Sequence, residues 1–223
     1  MEADRQGALT FWKMSSLQVD PENPRHVYIA TEHSGLFITD SGGADWKRAK
    51  PNVPRLTTTS LLALPGTILA GTVPAALYSA SNGSGWQELD GVRLGATGGS
   101  FPPSPELGAR TRFLAADNQT PRRLYAAIEV GGLLFSDDAG RRWTAATTGL
   151  DDPDVHQILP SAKTKGLVVA ACGEGAYQQH RSRRALGKCD AARNSHLRFV
   201  RHGRQQWNTL PRDGSRPPQH LAP

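Results

Sequence analysis

Two glutamates occupy matching places in the chain. Glu32 in ATEHSG and Glu129 in AIEVGG each stand seven positions before a hydroxyl residue, Thr39 or Ser136. Paired carboxylates are what glycoside hydrolysis uses, one as acid and the other as base or nucleophile. With Arg112 and His156, which lie at the start of short apolar runs, the same pair could instead hold a sugar, a cation or an acidic ligand. A plainer reading stands beside this one. A glutamate at a loop mouth is commonly solvated, His156 next to Asp154 can brace a turn, and Arg112 can be a surface charge. Other chemistries lack their residues: there is no GxGxxG or Walker loop, and Cys172 and Cys189 have neither CxxC spacing nor the numbers of a disulfide framework. No cofactor and no metal site are expected, and Cys172 reads as a small buried residue.

Whether these side chains converge depends on the elements that carry them, and those repeat. HVYIATEHSGLFITDSGGADW ends at Trp46, TILAGTVPAALYSASNGSGW at Trp86 and RLYAAIEVGGLLFSDDAGRRW at Trp143, while GLVVAACGEGAY starts the same way at Gly166. Each follows a further apolar run: SLQVD, SLLAL, RFLAAD and VHQIL. Short β-rich runs separated by Gly, Pro and Asn turns read as strands, and helical periodicity is nowhere sustained. Four strands recurring at a fixed period describe a blade of a β-propeller. The expected fold is therefore all-β, a partial propeller of about four four-stranded blades over residues 10–177, after a disordered start at 1–9.

The sharpest signature is the third tight turn, Ser136-Asp137-Asp138-Ala139-Gly140-Arg141-Arg142-Trp143, the pattern S-x-D-x-G-x-x-W. The residue types suit a locked hairpin: Asp138 can accept backbone N–H groups, Gly140 can adopt a positive φ, Ser136 can close a local hydrogen bond and Trp143 offers a large ring to pack. Thr39, Gly43 and Trp46 keep the anchors of a first copy, and Ser79, Gly83 and Trp86 those of a second. Ser41 and Ser81 stand where the third has Asp138, so looser turns are expected there. This pattern resembles the Asp-box, or BNR, repeat of sialidases, sortilin-type receptors, xyloglucan hydrolases and the photosystem II assembly factor family. The resemblance implies structural boxes on one side of the propeller and ligand sites on the other, the side of Glu32, Glu129, Arg112 and His156. It does not carry over the catalytic groups. No arginine cluster with a Tyr and Glu pair matches a sialidase, since Tyr28, Tyr78, Tyr125 and Tyr177 sit at strand positions that read as packing. No pair of aspartates matches a xyloglucan hydrolase either, because Asp20 and Asp138 belong to turns.

Two stretches break the period. GVRLGATGGSFPPSPELGAR, 91–110, reads as a loop insertion. From Gln178 onward the chain turns basic, with ten Lys or Arg against two acids, so the tail carries about +8 of the net +6 and the rest about −2. A basic tail of this kind can serve a nucleic acid or an acidic membrane. The competing explanation is a shifted reading frame: codons chosen for 178–190, read one base later, give SSTDRGAHWESA, which contains S-x-D-x-G-x-x-W where the period requires it. On that explanation 178–223 is a tail without native fold, and nucleic acid is not a partner.

The function expected is a non-catalytic binding or assembly scaffold for a protein or carbohydrate ligand, belonging to a longer propeller. The alternative is a fragment of a propeller glycoside hydrolase. No apolar run is long enough to span a bilayer, and as written the start reads as cytoplasmic, with secretion open if a longer N-terminus exists. Open propeller edges favour self-association. Sequencing the gene across codons 175–182 tests the frameshift: the shifted frame should run on without a stop, and an immediate stop rejects it.

Overall fold

The structure is a computed structural model of the chain and describes residues 13–54, 57–81, 85–89, 109–180, 185–189, 199–202 and 206–209. Every regular element among them is a strand, and none of the described segments is a helix able to cross a membrane. The chain divides into two compact units, Met1–Lys188 and Cys189–Pro223.

The first unit holds four antiparallel sheets. They comprise Met14–Val19 (β1), Val27–Thr31 (β2), Gly35–Thr39 (β3) and Lys47–Arg48 (β4); then Thr58–Leu64 (β5), Thr67–Thr72 (β6), Leu77–Ser81 (β7) and Gln87–Glu88 (β8). The third has Arg110–Ala116 (β9), Leu124–Glu129 (β10), Gly132–Ser136 (β11) and Thr144–Ala145 (β12). The fourth has Val155–Pro160 (β13), Leu167–Cys172 (β14), Gly175–His180 (β15) and Gly187–Lys188 (β16). Each keeps its strands in chain order, so each is a four-stranded meander, and β1, β5, β9 and β13 lie side by side in succession.

Both faces of a middle blade are covered by neighbours. In β10 the run Leu124 to Ile128 is wholly buried, which is why LYAAIE shows no polar alternation. In β14, on the last blade, burial alternates instead. Three apolar layers join the blades: Leu36, Leu61 and Tyr78 between the first and second, Leu69, Leu114 and Ile128 between the second and third, and Tyr125, Ile158 and Tyr177 between the third and fourth. Ala70, Ala126 and Ala170, at one repeat position, have no exposed surface, and their small side chains let the facing blade approach. At Gly71 even a methyl group would not fit, since a Cβ there would stand 2.6 Å from Thr111 of the next blade. The innermost strands are stitched by hydroxyls as well. Ser16 Oγ accepts the Leu61 N–H at 3.1 Å, and Ser60 Oγ donates to the Thr111 carbonyl at 2.7 Å.

The S-x-D-x-G-x-x-W turn is closed by its own side chains. Ser136 Oγ accepts the Gly140 N–H at 2.8 Å and lies 2.9 Å from Asp138 Oδ1, which accepts the Arg142 N–H at 2.8 Å. Gly140 has φ +90°, and Trp143 Nε1 donates to its carbonyl at 2.9 Å. That Arg142 N–H also holds the Asp138 carboxyl below the usual carboxylate range, with the Ser136 hydroxyl adding to it. Beside the turn Arg123 forks onto Asp137 with two bonds of 2.6 Å, its guanidinium carbon 5.0 Å from the centre of the Phe135 ring.

In the first turn Ser41 stands where the third has Asp138: Thr39 Oγ1 accepts the Gly43 N–H at 3.2 Å, and Ser41 Oγ bonds Thr39 Oγ1 at 2.9 Å and accepts the Asp45 N–H at 3.1 Å. A single hydroxyl both donates and accepts, so the bonding pattern survives, with bonds to the backbone longer than the 2.8 Å of the third turn, in line with the looser turn expected. Two expected bounds meet a different outcome. The end at Tyr177 falls inside β15, because Gln178 pairs with Val169 and with Gly187, and the sheet runs to Lys188. In the second unit Phe199–His202 (β17) and Gln206–Thr209 (β18) form an antiparallel pair, in a stretch that includes Phe, Val, Trp and Thr, all strand formers. Arg110, counted as the last residue of the inserted loop, instead opens β9. Residues 1–9 and 91–108, Gly83 of the second turn and part of the basic tail lie outside the described residues.

Candidate functional site

In an antiparallel meander, the turn after each second strand and the start of each first strand come to the same end. Glu32 follows β2, Glu129 ends β10, Arg110 and Arg112 open β9, and Asp154 and His156 flank the start of β13. The box turns after β3 and β11 lie at the other end.

Glu129 is the centre of the cluster. Arg110 is its cross-strand partner in the β9–β10 register and bonds it twice, through Nε to Oε2 and through Nη2 to Oε1 at 2.8 Å. Arg112 Nη1 reaches Oε2 at 3.1 Å. The Glu129 side chain is 18% exposed. Burial opposes its ionisation, yet the hydrogen bond from Arg110 and the charges of Arg112 and Arg110 outweigh it, and the carboxyl sits below its usual range. In return, the hydrogen bond to Glu129 holds the Arg110 guanidinium more firmly protonated, and the charges of Glu32 and Asp154 add to that.

One blade further on, His156 Nε2 lies 2.9 Å from Asp154 Oδ2. Asp152 orders the same loop, its carboxylate accepting the N–H groups of Asp154 at 2.9 Å and Glu174 at 2.7 Å. Asp154 Oδ1 is buried with no hydrogen-bond partner among the described residues. Glu129, Asp154 and His156 each offer one ligand atom within 4.8 Å of the others, a set with the chemistry of a divalent-cation site. The two guanidinium groups on Glu129 oppose a cation there, since they already satisfy that carboxylate. Cys172, buried below, has its thiol pushed up to about 12 by burial and by Asp152 and Asp154, so it is no nucleophile.

Of the four residues singled out by sequence, Arg112, Glu129 and His156 share this cluster. Glu32 stands apart and pairs with Lys13 at 2.8 Å. Arg110 and Asp154 were not among the candidates. Arg110 was legible in principle, because extending RFLAAD backward by two residues sets it opposite Glu129 in the hairpin. The box residues Thr39 and Ser136 end β3 and β11 on the opposite side, each followed by its turn, whereas Ser79 lies inside β7, paired with Leu69 and Gln87, and the strand runs on to Ser81. Trp86 differs from Trp143 in bonding out of its own turn, to the Pro51 carbonyl of the preceding blade at 3.3 Å.

A GH74 xyloglucanase from Xanthomonas campestris aligns with 78% of this chain at 14% identity and TM-score 0.62. The chain is a partial β-propeller. YCF48 from Cyanidioschyzon merolae aligns with 87% of it at 13% identity and TM-score 0.55, and a YCF48 structure bound to a D1 peptide with 83% at 15% identity and TM-score 0.57. At such identities the likeness is one of fold. The chain spans 30% of the xyloglucanase and 61% and 57% of the two YCF48 chains. No protein-family model and no curated protein matches it.

Ion pairing at Glu129 makes stability depend on pH in a defined direction. A carboxyl depressed in the folded state contributes stability above its unfolded value, about 4.3, and loses it as pH falls through the folded value. Glu129→Gln should cost about 1–3 kcal/mol at pH 7 in urea unfolding, and the gap from the parent chain should close as pH drops below about 4. A gap that stays constant with pH contradicts this.

Proposed function

We propose that this chain is the blade array of a non-catalytic Asp-box propeller that binds a protein ligand, as a peptide segment, on the face carrying Arg110, Arg112, Glu129, Asp154 and His156. The turns built on Thr39, Ser79 and Ser136 are the structural boxes of that reading. The observation that carries it is the state of Glu129. A glycosidase acid must keep its proton near neutral pH, which takes a raised pKa, whereas Arg110 and Arg112 hold Glu129 ionised. Both arginines are tied to that carboxylate, so the cluster is a fixed mixed-charge surface suited to recognition rather than to proton transfer. The YCF48 structure bound to a D1 peptide supports a peptide ligand by analogy of fold. The hydrolase alternative draws on the same likeness of fold and needs a separate acid beside the ionised Glu129.

Screening the purified chain against a library of fluorescent peptides by polarisation tests this. At least one peptide should bind saturably, and Arg112→Ala should weaken it about tenfold, or about 1.4 kcal/mol. Release of reducing sugar from xyloglucan at a rate that Glu129→Gln abolishes overturns the reading.

A further inference from the structure

Each innermost strand carries one β-bulge, and register puts all four at the same place. Met14 and Ser16 face consecutive residues of β2 and leave Ser15 unpaired; Thr59, Arg112 and His156 are skipped in the same way in β5, β9 and β13. Ser15, Thr59, Arg112 and His156 therefore occupy one repeat position. A bulge takes its extra residue out of the ladder and re-aims the side chain, here at the end of the blades that carries the charged cluster.

The first two blades show what a hydroxyl does at this position. Ser15 Oγ donates to the carbonyl of Thr58, the residue just before the next bulge. Thr59 Oγ1 donates to the carbonyl of Thr111 at 2.7 Å, again the residue just before the next bulge. A short donor at the bulge thus grips a main-chain carbonyl one blade on. At the third junction the equivalent carbonyl belongs to Val155, yet Arg112 stands at the bulge and bonds Glu129 of its own blade through Nη1. Among the described residues the guanidinium makes that hydrogen bond alone, so Nε and Nη2 keep their donors, and the side chain is 30% exposed. In the fourth blade His156 Nε2 lies 2.9 Å from Asp154 Oδ2. A carboxylate only accepts, so Nε2 carries the proton and Nδ1 of the neutral ring is left as an acceptor. Two neighbouring bulges thus hold a spare donor and a spare acceptor, linked by Glu129, which comes within 4.8 Å of a His156 ring nitrogen.

We propose that Arg112 and His156 read the main chain of a bound peptide: Arg112 donates to a backbone carbonyl, and His156 Nδ1 accepts a backbone N–H of the same extended segment. This rests on the reading of the face as a peptide site and names what is recognised there. Charge balance favours the main chain over charged side chains. A ligand carboxylate beside Arg112 meets Glu129, Asp154 and Asp152, and a ligand cation meets Arg110 and Arg112; like-charge contacts of this kind cost affinity. An amide carries no net charge, and its C=O and N–H complement the spare donor and acceptor. The partner is an extended segment selected through its backbone, with no charge required of its side chains.

Two fluorescent peptide libraries, both capped by acetyl and amide groups, test this by polarisation on the full chain. One library contains Asp, Glu, Lys and Arg, and the other contains none of them. The uncharged library should yield a saturable binder. Replacing its carbonyls one at a time by thioamides, which accept hydrogen bonds poorly, should weaken binding about two- to tenfold at one position. Arg112→Thr, which restores the residue type of the second blade, should weaken the unmodified peptide by the same factor, and the thioamide should then cost nothing more. Melting temperature checks the fold, and Arg112→Met, of similar length without donors, takes over if the threonine variant does not fold. An ester in place of one amide N–H should behave likewise toward His156→Leu. Binding by the charged library alone overturns the inference and leaves the peptide reading standing, whereas no binder in either library overturns both. No thioamide loss at any position, or a loss that persists undiminished in the Arg112 variant, overturns the inference as well.

Discussion

A four-stranded meander of this size has two apolar faces and no interior of its own, so each must be covered by a neighbour before it is stable. The other features follow from that constraint. It explains why β10 reads LYAAIE without polar alternation while β14 is buried on alternate residues, since one lies between two blades and the other at the end of the array. It explains the row of small residues at Ala70, Ala126 and Ala170, and why Gly71 is held where a Cβ would meet Thr111. The hydroxyl bonds among β1, β5 and β9 add direction to contacts that apolar burial alone would leave free to slide.

The charged cluster depends on the same stacking. Arg110, Arg112 and Glu129 belong to one blade and are aligned by its register, whereas Asp154 and His156 come from the next and approach only because β13 packs beside β9. A centre assembled across a blade interface is as rigid as that interface. With Glu129 fixed by two guanidinium groups, the face presents a set pattern of charge, which suits selection of a partner more than the proton shuttling of a hydrolase.

Much of this fold is legible in the sequence because repeats compare a chain with itself. The three Trp-ended segments and the strand-turn spacing give four meanders without any outside reference. The box serine and aspartate are equally readable, since their hydrogen bonds are local, within four residues. What depends on pairing across strands is harder. Arg110 follows a Pro-rich stretch, and only the hairpin register, which Glu129 and Ile128 set from the far side, turns it from a loop residue into a partner. Asp154 looks like one acid of a DDPD loop until β13 carries it toward Glu129. Ser41 shows that residue type carries further in a local turn: a hydroxyl that donates and accepts keeps the pattern, with backbone bonds longer than those of the Asp138 turn, as the substitution suggests.

Stability resides in blade-to-blade burial, so a blade covered on one side is weaker than one covered on both. Amide hydrogen exchange, followed strand by strand, measures this directly. Slowest exchange is expected in β6 and β10, with β14 of the fourth sheet less protected. Equal protection in all four sheets contradicts this.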